Sequence, residues 1–161
     1  DIIRIPLIAD IPGCPSNVRS DAFVYNMDLC PTFLDLGECE VPERMDAQSI
    51  LPVVQGSSAS VREAAAYVEF YGHQVPVIQK LMRTETGKYI FNSFDKDEYY
   101  DLLTDPNELV NLICNTDYQT EIKIARQAMF TRLKEAADPI LRYFEGTRMH
   151  NVKPANGAVH E

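Results

Sequence analysis

Four short runs rich in tyrosine, phenylalanine, valine and isoleucine, followed by one long amphipathic stretch, constrain this chain more than any other feature. The runs are residues 65–71 (AAYVEFY), 77–84, 88–94 (KYIFNSF) and 98–103 (EYYDLL). Each alternates roughly between apolar and polar positions, the period of a half-buried strand. The connections at 85–87 (ETG) and 93–97 (SFDKD) are of hairpin length, so the runs read as an antiparallel meander with one face needing cover. Residues 118–137 supply that cover: Ile122, Ala125, Met129 and Leu133 recur at helical spacing along one stripe. Asp138-Pro139 opens a last short helix over 140–144. The predicted class of this half is α+β, a small four-stranded antiparallel sheet covered by a C-terminal helix.

The first sixty residues have a different character. Residues 2–9 (IIRIPLIA) form a nearly continuous apolar run, the pattern of a strand buried on both faces in a parallel sheet, with Pro6 favouring an edge. Asn26-Met27-Asp28 offers caps, with Asp28 capping a predicted helix over about 28–36 that is stopped by Gly37. A short helical turn over 49–54 ends at Gly56, and 55–60 (QGSSAS) reads as a surface linker. The organisation expected is therefore 1–60 as strand, helix and connecting segment, 61–149 as the antiparallel subdomain, and 150–161 as a polar tail. The opening Asp1-Ile2-Ile3-Arg4 is neither a signal peptide nor a starting methionine and reads as the continuation of a longer chain.

Charge and composition limit the partners. There are 24 Asp and Glu against 15 Lys and Arg, a formal −9. With no basic cluster in the sequence, this balance argues against nucleic acid, and an anionic substrate would need a local positive pocket or a metal. No apolar run approaches the roughly 18 residues that suggest a membrane-spanning helix. Cys14, Cys30, Cys39 and Cys114 lack zinc-site spacing and read as free buried thiols.

A catalytic set is not legible. GxSxG, P-loop and GxGxxG patterns are absent. Asp95, Asp97 and Glu98 suggest a calcium loop but lack its glycine and its closing glutamate, so they read as a solvated hairpin turn. Asp105-Pro106 reads as opening a helical turn, with Glu108 near its positive end. His73 at a strand end beside Gly72 could be a hydrogen-bonded surface residue or a donor to an anion in a pocket.

Several segments carry a resemblance. Residues 88–92 (KYIFN), 98–102 (EYYDL) and 105–112 (DPNELVNL) resemble the C-terminal signature of sulfatases, a YKY strand followed by ELYDL and DPxExxNL; here Tyr99 replaces the usual leucine. Residues 4–8 (RIPLI) resemble the family's RVPLI strand. Residues 28–36 (DLCPTFLDL) resemble DLxPTLLDL, and 46–52 (DAQSILP) resemble the segment DGxSLLPLL. The matches occur in family order over residues 2–113.

The resemblance implies the C-terminal portion of a sulfuric ester hydrolase of the alkaline phosphatase-like superfamily. Its N-terminal strand and helix would belong to the α/β core, with the antiparallel subdomain forming one wall of the substrate pocket. A formylglycine nucleophile made from Cys or Ser in C/S-x-P-x-R, and a calcium ion, would come from the N-terminal sulfatase domain that precedes this region. Cys14 and Cys39 do not fit that pattern: Pro and Arg stand at +1 and +5 of the first, and at +3 and +5 of the second. No catalytic or metal residue is therefore assigned in this chain, and it is expected to be inactive alone. Glu69, His73 and Gln74 are the substrate-pocket candidates.

Two other readings remain open. Phosphodiesterases and phosphonate monoester hydrolases of the same architecture share this subdomain. A non-catalytic interaction module would behave as a monomer at high concentration, whereas a fragment missing its neighbour would self-associate through exposed apolar surface.

Overall fold

The computed structural model describes residues 3–56, 65–74 and 77–149, which fall into two compact units, residues 1–66 and 67–161.

The first unit holds little regular structure. A 3-10 turn, Asn26–Asp28, runs into α1, Leu29–Leu36, and α2, Leu51–Val54, follows after a loop. Pro31 is accommodated in the first turn of α1, where its missing N–H costs nothing. Asp28 departs from its expected role. It makes no side-chain cap onto α1; its carboxylate accepts from the backbone N–H of Tyr25 at 2.8 Å and of Gln48 at 3.0 Å. Thr32 adds a second tie, donating to the Asp28 carbonyl and accepting from Ile50 N–H. A buried carboxylate and a hydroxyl thus fasten α1 to the approach to α2.

The apolar run at the start does not form a strand. Residues 4–10 carry no regular secondary structure and are exposed, Ile8 to 94%. A strand exists only through a hydrogen-bonded neighbour, and none is present among the described residues. The linker predicted at 55–60 lies mostly outside the described residues, as does the tail from 150.

The second unit follows the predicted meander. Strands β1, Ala65–Phe70, β2, Gln79–Thr84, β3, Gly87–Asn92, and β4, Glu98–Asp101, lie in sequence order in one sheet. β3 is antiparallel to β2 (Lys80 opposite Phe91, Met82 opposite Tyr89) and to β4 (Tyr89 opposite Tyr99). Strand alternation therefore puts Lys80, Met82, Tyr89, Phe91 and Tyr99 on one face. Helix α3, Gln119–Glu135, covers that face with Ile122, Met129 and Leu133, and α4, Leu141–Phe144, adds Phe144. Phe91 and Phe144 meet edge to face, with ring centroids 5.1 Å apart.

The segment 105–110 corrects another expectation. It is a turn, not a helix. The Asp105 carboxylate accepts from Leu109 and Val110 N–H, bending the chain, and Glu108 sits at φ 57° and pairs with Lys88. Local bonds from Asp105 win over continuation into a helix.

Candidate functional site

Antiparallel order brings the end of β1, the start of β2, the end of β3 and the start of β4 to one end of the sheet. The β1–β2 connection, with His73 and Gln74, and the β3–β4 turn, residues 93–97, both leave from there. Ser93 joins the two: its N–H donates to Ile78 O at 3.0 Å, and its hydroxyl accepts from Ile78 N–H at 3.1 Å. Tyr143 of α4 donates to the Ser93 carbonyl, locking the turn to the helical layer.

Two buried ion clusters fix this end. In the first, Lys80 is fully buried, its Nζ 2.7 Å from Asp138 Oδ2, 2.6 Å from the Tyr71 hydroxyl and 3.1 Å from Glu69 Oε1. Tyr71 donates onward to Glu69. Burial alone would lower the Lys80 pKa, but Asp138, Tyr71 and Glu69 outweigh it and raise it above the ordinary value. The side chain therefore stays an ammonium. Burial opposes ionisation of Glu69 as well, yet hydrogen bonds from Tyr67, Tyr71 and Lys80 hold its carboxyl below the ordinary value.

Asp97 centres the second cluster. Its carboxylate accepts from Arg148 Nε at 2.8 Å to each oxygen, from the Tyr89 hydroxyl at 2.6 Å and from Asn92 N–H at 3.3 Å. Arg126 Nη2 lies 3.5 Å away. Burial, with the Asp97 charge next, drives the Tyr89 hydroxyl far above its usual pKa, so it remains a neutral donor. This corrects the solvated reading at Asp97, which is only 3% exposed and has its lone pairs taken, while Asp95 is exposed as expected.

The three pocket candidates are not equivalent. Glu69 belongs to the Lys80 cluster. His73 and Gln74 are exposed in the bend beyond β1, where neither makes a hydrogen bond within the described residues. The clusters thus hold the strand ends beside this bend. They do not assemble a nucleophile with a base. Among the described residues, no three His, Cys, Asp or Glu side chains come together to hold a metal ion. The four thiols are free, but Cys30, Cys39 and Cys114 are exposed rather than buried, since they sit on the outer side of α1, in a loop and ahead of α3.

Sequence reasoning missed Lys80, Asp138, Arg126 and Arg148. One signal was available: Lys80 is in phase with Met82 on the face that needs cover, a charge where an apolar side chain belongs. Its partner lies 58 residues away.

Comparison with known proteins agrees with this architecture. Residues 1–138 match the family described as N-sulphoglucosamine sulphohydrolase, C-terminal. An N-acetylglucosamine-6-O-sulfatase of Bacteroides thetaiotaomicron is 31% identical over 143 residues, covering 84% of this chain and 26% of that protein. A protein solved in complex with its substrate D-glucosamine-2-N,6-O-disulfate superposes with a TM-score of 0.61 at 28% identity, over 70% of this chain and 24% of that one. A phosphonate monoester hydrolase from Silicibacter pomeroyi gives a TM-score of 0.66 at 19% identity, over 78% of this chain and 28% of that one, a likeness of fold alone. This chain spans less than a third of the length of each of these three proteins. It belongs to the N-sulphoglucosamine sulphohydrolase C-terminal family, the C-terminal portion of sulfatase-type hydrolases with the alkaline phosphatase-like fold.

Proposed function

We propose that the chain works as the C-terminal part of a sulfate ester hydrolase, forming one wall of the substrate pocket and having no turnover by itself. The observation that carries this is the extended match to an N-acetylglucosamine-6-O-sulfatase, which covers 84% of this chain but 26% of the relative. The remaining length of such a protein has room for the nucleophile and metal that these residues do not supply. Sulfated amino sugars are the substrate class this relative suggests, and the glucosamine disulfate bound by the solved neighbour points the same way.

In this reading His73 and Gln74 bind and orient the substrate, and Glu69, tied to Lys80, fixes the bend that carries them. An imidazole and a carboxamide both suit sugar hydroxyls, and an imidazole N–H also donates to a sulfate oxygen. Selectivity would come from shape and hydrogen bonding at this wall. Formylglycine and calcium, supplied by the preceding domain, would provide the nucleophile and the electrostatic stabilisation. The residues 3–9 would pair there as a strand of its sheet, which accounts for an apolar segment that is exposed in this chain. Sulfate rather than phosphonate esters are favoured because the similarity to the phosphonate monoester hydrolase extends to the fold alone.

Assay of the 161-residue chain with an aryl sulfate and with glucosamine 6-sulfate, each with calcium, tests the reading. No turnover is expected from the chain, and turnover is expected when it is joined to a catalytic domain of the family. Hydrolysis by the chain alone would overturn it.

A further inference from the structure

Beside the β3–β4 turn lies a cleft of about 380 Å³, within the range of small-ligand pockets. Lys96, Arg126 and Arg148 line it together with Asp95, Asp97 and Ile113. Three cations thus face two carboxylates in a chain whose formal charge is −9. The carboxylates do not cancel the cations evenly. Asp97 is saturated by Arg148, Tyr89 and Asn92, and Asp95 accepts the Lys96 N–H within its own turn at 2.6 Å.

Arg126 is under-used. Within the described residues its one ion pair, to Asp97, is long at 3.5 Å, and its guanidinium otherwise lies over the Tyr89 ring at 6.0 Å from the centroid. Its Nε, shut off from solvent, has no hydrogen-bond partner, an arrangement that is unfavourable for a charged donor. Lys96 is exposed on the rim and makes no ion pair within the described residues. Three cations against two carboxylates leave one net positive charge in the cleft. A tetrahedral oxyanion matches that excess, because the planar guanidinium edge pairs with two of its oxygens at once.

We propose that this cleft binds a sulfate-type oxyanion, held by Arg126 with Lys96 at the rim, while Arg148 stays committed to Asp97. The anion enters as the partly exposed Arg126 side chain shifts from its long contact with Asp97 to the better acceptor. The group can be inorganic sulfate or the sulfate of an esterified sugar. The site follows from charge and hydrogen-bond accounting in the second unit alone and stands or falls separately from turnover.

Nuclear magnetic resonance of the isotope-labelled 161-residue chain tests it, with the Arg126 Nε–H and the Lys96 amide as reporters. The titrants are sodium sulfate, D-glucosamine 6-sulfate and D-glucosamine, each at an ionic strength matched with sodium chloride. Saturable shifts are expected with the two sulfate-bearing titrants and none with glucosamine. Tighter binding of the sugar sulfate would name a sulfated sugar as occupant, and tighter binding of the inorganic ion would name free sulfate. Arg126→Gln is expected to weaken binding by about tenfold or more, the usual effect of a lost charged hydrogen bond. Lys96→Ala, a change on the exposed rim that leaves the fold intact, is expected to weaken it roughly threefold, as for a solvated ion pair. Non-saturating shifts that follow ionic strength, or an unchanged dissociation constant in Lys96→Ala and Arg126→Gln, would overturn the proposal.

Discussion

The two units of this chain differ in how much apolar core each one buries. In residues 67–149, Phe91, Met129, Leu133 and Phe144 are inaccessible to solvent, and each is buried by a neighbour from the same unit. In residues 3–56, Ile5, Leu7, Ile8 and Phe33 face solvent. The first unit buries a smaller set, Ala47, Ile50 and Val53, and adds polar ties, Asp28 to Tyr25 and Gln48, and Thr32 to Ile50. Exposed apolar residues are not confined to it, since Phe94, Leu103 and Leu109 of the second unit also face solvent. A unit that buries its own core carries its own stability. In the proposed function, the catalytic domain would cover the exposed apolar run that includes Ile5, Leu7 and Ile8.

Removing the centre of the Asp97 cluster should separate the units most strongly. Asp97→Ala leaves Arg148 and Arg126 facing each other and Tyr89 without its acceptor, at a cost of about 3–5 kcal/mol of stability. Denaturant unfolding should show the whole loss in the transition of the second unit. Met129→Ala should cost about 2–5 kcal/mol through cavity formation in the same transition, whereas Ile8→Ala should stay within about 0.5 kcal/mol. Comparable effects from Met129→Ala and Ile8→Ala would break the contrast.

A smaller effect follows from pH. The Tyr89 pKa is raised well above the ordinary tyrosine value of 10.0 by burial and by Asp97. A raised folded pKa means that the native state holds its proton more tightly than the unfolded chain does. Its contribution is therefore complete below pH 10 and declines as pH rises above that value. Lys80 adds to the decline above its ordinary 10.5, since its pKa is also raised. Thermal melts between pH 9 and 11.5 should show a falling midpoint, shallower in Tyr89→Phe. Glu69 acts at the other extreme: its lowered pKa gives a contribution that is present above pH 4.5 and fades as pH falls through the folded value.

The sequence made the second unit legible because its signals are local. Alternation in KYIFN and the stripe Ile122–Met129–Leu133 each report one element's buried face, and the hairpin turns order the strands. The family signature was legible for the same reason, being composed of strand and turn residues. What stayed hidden depends on pairs distant in sequence. Lys80 meets Asp138, and Asp97 meets Arg148, only after the sheet and helices have packed. Residues 2–9 show the reverse failure: their composition promises a strand, but pairing requires a partner that composition cannot provide. Asp28 was read as a helix cap, and its actual bond to Gln48, 20 residues on, was likewise invisible locally.

Amide hydrogen exchange gives the most direct test of the central claim that one unit is complete and the other awaits a neighbour. It should be measured on this chain alone and on the chain joined to a catalytic domain of the family. The β3 amides of Tyr89 and Phe91 should be protected in both. Those of Leu7 and Ile8 should exchange freely in the chain alone and become protected in the joined protein. Protection of Leu7 and Ile8 in the chain alone, or free exchange in the joined protein, would contradict the account.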